Sequence, residues 1–254
     1  MKRVLLTICG RAGSKGFKNK NLKTFCGAPL VYYTLSAAEM FIKERADLQV
    51  DICLNTDSQP LAELVLAKYP EVQVVQRPQE LAGDTVAKMA VFQHSLSQME
   101  ARFGCRYDYH IDMDITSPMR QSFDLPGIVK MFEEEEGLDL VMSAAPSRRN
   151  PYFNMGQEDE KGYARRIIQN NNTARQQAPK CYDINASLYV FARDFLTSNK
   201  SADLWQGKVK IYEMFDTGIL DIDSEEDFLL LGAIAQHLYN TVPTFQAVQA
   251  NIRM

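Results

Sequence analysis

A loop rich in glycine and cationic residues follows the first apolar run of the chain, residues 4–9. The loop, residues 10–21, has the sequence GRAGSKGFKNKN. Glycine lets backbone amides approach a bulky group closely, and cationic side chains favour an anionic group. The spacing matches neither the P-loop pattern G-x-x-x-x-G-K-[ST] nor the dinucleotide pattern G-x-G-x-x-G. The loop therefore predicts a triphosphate site of another type, with a solvated surface turn as the alternative. Its candidate ligands are Arg11, Gly13, Ser14, Lys15, Gly16, Lys20 and Asn21.

A pair of aspartates, Asp221 and Asp223, lies some two hundred residues further along the chain. Because one residue separates them, both side chains point to the same side of an extended segment. Mg²⁺ is typically bound by one or two carboxylates together with substrate phosphates, so the pair could hold a metal. The alternative is that both aspartates cap a helix that begins near Ser224. The residues alone leave these two interpretations nearly even.

A second acidic set lies on a predicted strand, where His110, Asp112 and Asp114 share one face. Charges inside a sheet covered on both faces are costly unless they are paired or lie at its edge. Asp114 is nearest to the carboxyl end of the strand, so we expect it to reach a ligand. His110 lies deeper, and we interpret it as a buried, hydrogen-bonded histidine rather than a general base. No Ser-His-Asp arrangement is evident.

Segments with the apolar pattern of strands alternate with segments of helical periodicity through most of the chain. The predicted strands are residues 4–9, 50–54, 72–75, 107–115, 138–144, 185–191 and 209–214. The predicted helices are residues 29–42, 60–68, a segment capped by Asp84 or Thr85 that runs toward residue 102, 124–136 and 224–239. This alternation predicts an α/β fold with a mostly parallel sheet between two layers of helices. Ligands bind beyond the carboxyl ends of such strands, so the loops that follow them should share one pocket.

The composition is that of an ordinary soluble protein. The chain has 254 residues, of which 46% are hydrophobic and 24% are charged, with a net charge of −4. Its overall acidity argues against nonspecific binding to nucleic acid. No apolar run is long enough for a membrane span and no signal peptide is evident, so we expect a cytoplasmic protein. The five scattered cysteines fit reduced thiols. We expect a single domain over residues 1–254, with a polar, turn-rich excursion at 148–182 that is either a flexible loop or a small group of strands.

Several motifs occur together in the order of a known family. The chain resembles the cytidylyltransferases that activate 3-deoxy-2-keto sugar acids, especially the CMP-sialic acid (acylneuraminate) synthetases, with features of the legionaminic acid branch. The resemblance extends from Arg3 to about His237 and rests on shared motifs. These are Arg11, Gly13-Ser14-Lys15-Gly16, Lys20-Asn21, Gly27-Ala28-Pro29-Leu30, Arg77-Pro78, Leu81-Ala82-Gly83-Asp84-Thr85, Thr116-Ser117-Pro118-Met119-Arg120, Arg175-Gln176, Asn185, Tyr189, Asp221-Ile222-Asp223 and Asp227-Phe228.

The resemblance implies a nucleotide-diphospho-sugar transferase fold and the transfer of CMP from CTP to the anomeric hydroxyl of a nine-carbon 2-keto-3-deoxy sugar acid. It implies Mg²⁺ or Mn²⁺ on Asp221 and Asp223, which favours the metal interpretation of this pair, and a homodimer formed through residues 148–182. The implied catalytic residues are Arg11, Lys15, Lys20, Asp221 and Asp223. The implied nucleotide contacts are Arg11, Gly13, Ser14, Lys15, Asn21, Arg77 and Asp84.

The implied contacts to the sugar acid are Asp114, Thr116, Arg175, Gln176, Asn185 and Tyr189. The family often has glutamine at the position of Asp114, so this aspartate could accept hydrogen bonds from the sugar or help to hold the metal. The family also often has alanine and serine at the positions of Val86 and Lys88, where they touch the nucleotide. Arg77 could instead be a structural loop arginine, and Tyr189 could be a core residue.

Other functions are consistent with parts of the pattern. A hexose-1-phosphate nucleotidyltransferase would share the fold, but it should carry a G-x-G-T-R-L loop, which this chain lacks. A noncatalytic nucleotide or sugar sensor would keep the pocket without turnover, and the presence of both Asp221 and Asp223 speaks against it. Within the family, N-acetylneuraminic, legionaminic, pseudaminic and KDN acids all remain candidate acceptors.

Overall fold

The computed structural model describes residues 1–13, 16–215 and 221–254. The strands are β1 Lys2–Gly10, β2 Thr24–Phe25, β3 Ala28–Pro29, β4 Leu48–Thr56, β5 Gln73–Gln76, β6 Tyr109–Asp114, β7 Leu140–Pro146, β8 Gly156–Glu158, β9 Ala164–Arg166, β10 Tyr182–Ala192 and β11 Val209–Glu213. The α-helices are α1 Leu30–Glu44, α2 Gln59–Leu66, α3 Lys88–Phe103, α4 Asp124–Glu134, α5 Arg193–Ser198, α6 Glu225–Thr241 and α7 Pro243–Ala250.

The central sheet has seven strands in the order β11-β7-β10-β6-β1-β4-β5. Its strands are apolar on both faces, as β1 illustrates: Val4, Leu6 and Ile8 belong to one buried cluster, and Leu5 belongs to the other. Helices α1, α2, α4, α6 and α7 cover the first cluster, and α3 and α5 cover the second. Alternate side chains of a strand point to opposite faces, so a sheet with helices on both sides needs apolar residues at both. The predicted three-layer, mostly parallel α/β fold is confirmed.

One strand runs against the others. β10 pairs antiparallel with both β6 and β7, whereas β1 pairs parallel with β4 and β6, and β11 pairs parallel with β7. A parallel return needs a crossover, usually a helix, and none of the described α-helices lies between β7 and β10. The chain instead makes an excursion that contains the antiparallel hairpin of β8 and β9. Of the two alternatives predicted for this excursion, the small group of strands is the one observed.

The third long helix begins later than the sequence predicts. The expected cap at Asp84 or Thr85 is wrong, because α3 begins at Lys88 with Ala87 at its N-cap and without a side-chain cap. The physical reason lies in the tertiary structure: Asp84 forms an ion pair with Arg11 from the loop after β1. This later start places Lys88 in the first turn of α3, beside the carboxyl end of β6. No helix in the described part of the chain has both the length and the apolar character of a membrane span.

Candidate active site

A crevice with a volume of about 480 Å³ lies at the carboxyl edge of the sheet. It collects the residues after β1, β5 and β6 together with the segment before α6, which agrees with the expected position of a ligand in this fold. Ten of the predicted site residues line it. They are Arg11, Gly16, Lys20, Asn21, Arg77, Asp84, Asp114, Thr116, Asp221 and Asp223. Gly13, Arg175, Gln176, Asn185 and Tyr189 are not among its described lining residues, and Ser14 and Lys15 lie outside the residues that the structure describes.

The cationic loop and the aspartate pair touch one another. The Lys20 ammonium donates hydrogen bonds to the backbone oxygen of Ile222 at 2.8 Å and to Asp223 Oδ1 at 3.0 Å. Gly16 approaches the same segment so closely that a Cβ at its position would lie 2.6 Å from the backbone oxygen of Asp223. A glycine is therefore required here for steric reasons. Two groups separated by some two hundred residues thus form one wall of the crevice.

The start of the loop is held from the other side of the crevice. Arg11 forms an ion pair with Asp84 and also lies 3.5 Å from the backbone oxygen of Ala82. The Asn21 side chain donates to the backbone oxygen of Arg11 at 3.3 Å. About a third of each side chain of the Arg11–Asp84 pair is exposed, so the pair is accessible from the crevice. A guanidinium in this position offers several N–H donors in a fork that suits phosphate oxygens.

Arg77 is buried at the base of the crevice. Its guanidinium donates to the side-chain oxygen of Asn55 at 2.8 Å and to the backbone oxygen of Asn55 at 3.0 Å. Asn55 in turn donates to Ser95 at 2.9 Å. Arg77 is therefore a hydrogen-bonded arginine that also faces the crevice, a position that is compatible with both of its predicted roles.

The aspartate pair does not cap α6. Ser224 is the N-cap: its Oγ accepts from the backbone N–H of Asp227 at 3.1 Å, and the Asp227 carboxylate accepts from the backbone N–H of Ser224 at 2.8 Å. This reciprocal arrangement satisfies the first turn of α6 without the carboxylates of Asp221 and Asp223. The backbone of Ile222 is fixed by a 2.9 Å hydrogen bond to the oxygen of Thr116. Both aspartates therefore line the crevice.

Negative charge is concentrated at Asp221. Burial raises the pKa of its carboxyl group, and the nearby carboxylates of Asp223 and Asp114 raise it further. A divalent cation would relieve this repulsion, so the two aspartates fit a metal of the kind that binds one or two carboxylates and completes its shell with phosphate oxygens and water. Among the described residues, no three His, Cys, Asp or Glu side chains are grouped to hold a metal by themselves.

Asp114 is more fully engaged than the sequence indicates. Its Oδ1 accepts hydrogen bonds from the backbone N–H of Thr116 at 2.9 Å and from the Thr116 hydroxyl at 2.8 Å. Its Oδ2 forms an ion pair with Lys88. Sequence reasoning noted only that Lys88 stands where the family often has a serine that touches the nucleotide, and that both Lys88 and Asp114 differ from the family pattern. When an acidic and a basic residue both replace the family's usual residues, a contact between them is a reasonable expectation, and this is the signal that could have indicated the ion pair.

The predicted sugar contacts are divided between two places. Asn185 is buried and accepts a 2.6 Å hydrogen bond from Ser143, and Tyr189 packs behind the crevice residue Phe92 with ring centroids 6.4 Å apart. Burial raises the pKa of Tyr189 to about 12, so its phenol is neutral near pH 7. Arg175 and Gln176 are exposed in the excursion, where Arg175 donates to the backbone oxygen of Arg148 at 2.9 Å. The structure therefore does not bring Arg175 and Gln176 to the crevice of their own chain.

Beneath the crevice lies a buried polar cluster. Thr7 Oγ1 donates to Asp112 Oδ1 at 2.8 Å and lies 3.0 Å from His110 Nε2. Burial raises the pKa of Asp112 to about 6 and lowers the pKa of His110 to about 3. His110 is fully buried and hydrogen-bonded through Nε2, as the sequence-based interpretation expects, while its Nδ1 has no partner among the described residues. A histidine held neutral at this depth serves the packing of β6 rather than chemistry at the surface.

The fold and the site define a class. A cationic glycine loop after the first strand of a three-layer α/β sheet, facing a pair of aspartates at the same edge, is the arrangement of a nucleotidyltransferase. The chain belongs to the cytidylyltransferase family, whose model matches residues 6–229. The resemblance to this family that the motifs indicate is confirmed.

Named relatives are similar over nearly the whole chain. A post-translational flagellin modification protein B of Campylobacter coli is 38% identical over 91% of this chain and 94% of its own length. A CMP-N,N'-diacetyllegionaminic acid synthase of Campylobacter jejuni is 36% identical with the same coverage. In solved structures, a CMP:2-keto-3-deoxy-manno-octonic acid synthetase complexed with CTP matches with a TM-score of 0.64 and 16% identity, over 93% of this chain and 99% of that one. At that identity the match concerns the fold alone.

Proposed function

We propose that the protein transfers CMP from CTP to the anomeric hydroxyl of a free nonulosonic, sialic-acid-like sugar and releases pyrophosphate. The observation that carries the proposal is the contact of the cationic loop with the aspartate pair, through Lys20 and Asp223, in one crevice. The reaction needs cations and carboxylates at a common triphosphate, because phosphoryl and nucleotidyl transfer depend mainly on positioning and charge stabilisation. The similarity to a CMP-N,N'-diacetyllegionaminic acid synthase supports the choice of acceptor class.

In this reaction the anomeric oxygen forms a bond to the α-phosphorus of CTP while the bond between the α-phosphorus and its bridging oxygen breaks. Pyrophosphate leaves with the electron pair, and the hydroxyl proton passes to water. Arg11 and Lys20 line the crevice where they can contact the triphosphate and stabilise the growing negative charge. Two unit charges at 4 Å attract by about 4 kcal/mol at an effective dielectric constant near 20, against about 1 kcal/mol in water.

Asp221 and Asp223 would hold the divalent metal, Mg²⁺ or Mn²⁺. When bound, such an ion supplies Lewis-acid stabilisation of the phosphate oxygens. The raised pKa of Asp221 supports this assignment, because burial and the neighbouring carboxylates of Asp223 and Asp114 disfavour its negative charge and a bound divalent cation would offset them. Isothermal titration of Mn²⁺ into the protein in the presence of CTP should show one site that Asp221→Asn and Asp223→Asn each weaken, independently of any turnover.

We also propose a homodimer that is formed through residues 148–182. Four apolar side chains are exposed in this excursion, and an exposed apolar surface is typical of an interface. They are Met155, Tyr163, Ile167 and Ile168. Arg175 and Gln176 lie in the same excursion, where they could reach the acceptor site of a partner subunit. Light scattering should give twice the mass of the chain, and Ile168→Asp should shift the mass toward that of the monomer.

The function is tested by pyrophosphate release. Each nucleoside triphosphate is combined with sialic, legionaminic, pseudaminic, KDN and 3-deoxy-octulosonic acids, and release is followed by a coupled assay. We expect release only when CTP is paired with a nonulosonic acid. Asp221→Asn and Asp223→Asn should each abolish it while the thermal unfolding curve stays cooperative. If CTP binds but is consumed with none of the acids, the protein is a nucleotide-binding protein without this activity.

A further inference from the structure

Lys88 is a cation in the crevice, at a position where the resembled family often has a serine that touches the nucleotide, and no motif assigns a task to a lysine here. It is the first residue of α3, and half of its side-chain surface is exposed. The cationic residues among the described lining of the crevice are Arg11, Lys20, Arg77 and Lys88. Arg11 and Lys20 belong to the glycine loop, and Arg77 is buried against Asn55. Lys88 is the member of this set that stands on α3, beside β6.

Asp114 fixes the direction of this lysine. The carboxylate is nearly buried and is held on one oxygen by two hydrogen bonds from Thr116, so its second oxygen is presented to Lys88 in a defined orientation. Although burial alone would lower the pKa of Lys88, the carboxylates of Asp114 and Asp112 raise it above its ordinary value. The ammonium is therefore charged throughout the physiological range. It has three N–H donors, and among the described residues Asp114 accepts from one of them, which leaves donors for a ligand.

The position of the pair in the sheet indicates what that ligand is. Asp114 ends β6, which lies between β1 and β10. β1 carries the glycine loop of the proposed triphosphate site, and β10 carries Asn185 and Tyr189, which are predicted contacts of the sugar acid. Through its ion pair with the end of β6, Lys88 thus stands between the strand that carries the proposed triphosphate site and the strand that carries predicted acceptor contacts, where the α-phosphate and the anomeric hydroxyl have to meet.

The acceptor brings an anion to this border. In a 2-keto sugar acid the anomeric carbon bears the attacking hydroxyl and is bonded directly to the carboxylate carbon. An acceptor placed for in-line attack therefore puts its carboxylate within two or three bonds of the reacting oxygen. Burying this charge next to a nucleotide requires a cation or several hydrogen bonds. Arg175, the cation expected from the family resemblance, does not line the crevice of its own chain among the described residues, and in the proposed dimer it would reach an acceptor site only in the partner subunit, so Lys88 is the cation that the same chain supplies here.

We propose that Lys88 binds the carboxylate of the sugar acid and that Asp114 is the positioning residue that orients it. The inference rests on the proposed cytidylyl transfer and adds a determinant of acceptor choice to it. It also assigns to Asp114 a task different from the direct contact with sugar or metal that the sequence suggests: the carboxylate acts through the lysine. An acceptor that lacks the carboxylate would leave Lys88 facing a neutral group and would be rejected.

The test compares Lys88→Met with wild type, using the best acceptor acid and its primary amide. Charge-assisted hydrogen bonds contribute about 1.5–3 kcal/mol, so we expect the KM for the acid to rise about 10- to 100-fold in Lys88→Met. The KM for CTP, and the dissociation constant of CTP measured by calorimetry, should each change less than about 3-fold. A 3-fold change corresponds to about 0.6 kcal/mol, which is small enough to be an indirect effect of the substitution. Lys88→Arg should recover much of the loss, because it keeps a positive charge at this position. The ratio of kcat/KM for the acid to kcat/KM for the amide should be much larger in wild type than in Lys88→Met.

Controls separate this inference from the fold and from the proposed function. Lys130→Met removes another partly paired lysine, on α4, and should leave all constants unchanged. If Lys88→Met unfolds because Asp114 loses its partner, the double variant Lys88→Met with Asp114→Asn removes both charges and keeps the acceptor of the Thr116 hydrogen bonds. An unchanged KM for the acid, or a loss confined to CTP binding, overturns the inference. Failure of wild type to consume CTP with any acid would instead overturn the proposed function.

Discussion

Replacing Gly16 by alanine should separate the glycine loop from the aspartate pair. The Cβ of the new residue would lie 2.6 Å from the backbone oxygen of Asp223. A carbon and an oxygen in contact ordinarily stay about 3.3 Å apart or more, so one of the two segments has to move by about 0.7 Å. Both partners are backbone groups, and a backbone cannot yield as the end of a flexible side chain does.

The expected loss of activity follows from that displacement. A misplacement of about 1 Å at a catalytic site can cost about 100-fold in rate, so we expect kcat/KM of Gly16→Ala to fall about 10- to 100-fold. The change in stability should be small, because the contact lies at the surface of the crevice and not in either apolar cluster. Pyrophosphate release at saturating acid and varied CTP measures the first quantity, and urea unfolding measures the second.

A matched replacement isolates the steric cause. Gly232 lies in α6, where the nearest atom to an added Cβ is Phe25 at 3.9 Å, an ordinary contact. Gly232→Ala should therefore retain full activity and should gain up to about 1 kcal/mol in stability from helix propensity. If Gly16→Ala had the kcat/KM of wild type, the loop and the Asp223 segment would not be in contact as described, and the common triphosphate site would lose its main support.

Three further outcomes are expected. Lys20→Met should raise the KM for CTP about 10- to 100-fold, because it removes a charged donor from the crevice. Lys18, an exposed lysine of the same loop, is the control, and Lys18→Met should change the KM for CTP by less than about 2-fold. Equal effects of the two substitutions would contradict a specific role of Lys20. Burial raises the folded-state pKa of Asp124 from 3.8 to about 6, so its ionisation makes the fold less stable as pH rises between these values. In urea unfolding, the stability of Asp124→Asn relative to wild type should therefore be about 2 kcal/mol greater at pH 7.5 than at pH 4.5, and a difference independent of pH would refute this. Ser224→Ala should lower stability by about 1 kcal/mol through loss of the α6 cap, and an unchanged melting temperature would contradict the cap.

Much of the fold follows from local patterns. The alternation of strands and helices predicts three layers because each apolar face has to be buried against another element, and this holds whatever the order of the strands. The order itself is not encoded in that periodicity. An apolar pattern reports that a strand such as β10 is buried, but it does not report that its neighbours are β6 and β7 or that it runs antiparallel to them. Those features depend on the missing crossover helix and on the path of the excursion.

The site divides in the same way. The glycine loop is recognisable from residue type, and the rule that ligands bind at the carboxyl edge of the sheet predicts where it lies. The aspartate pair is recognisable by its spacing, but the residues alone leave it between a metal site and a helix cap, and the family resemblance favours the metal site. The ion pair of Lys88 with Asp114 and that of Arg11 with Asp84 depend on distances between elements, which no single segment specifies. The exposed position of Arg175 and the exact start of α3 also depend on such distances. Residue types determined which chemistry the chain can perform. Only the tertiary structure decided which charges are paired with one another and which face the crevice, because pairing depends on a few ångströms of separation that the linear order does not record.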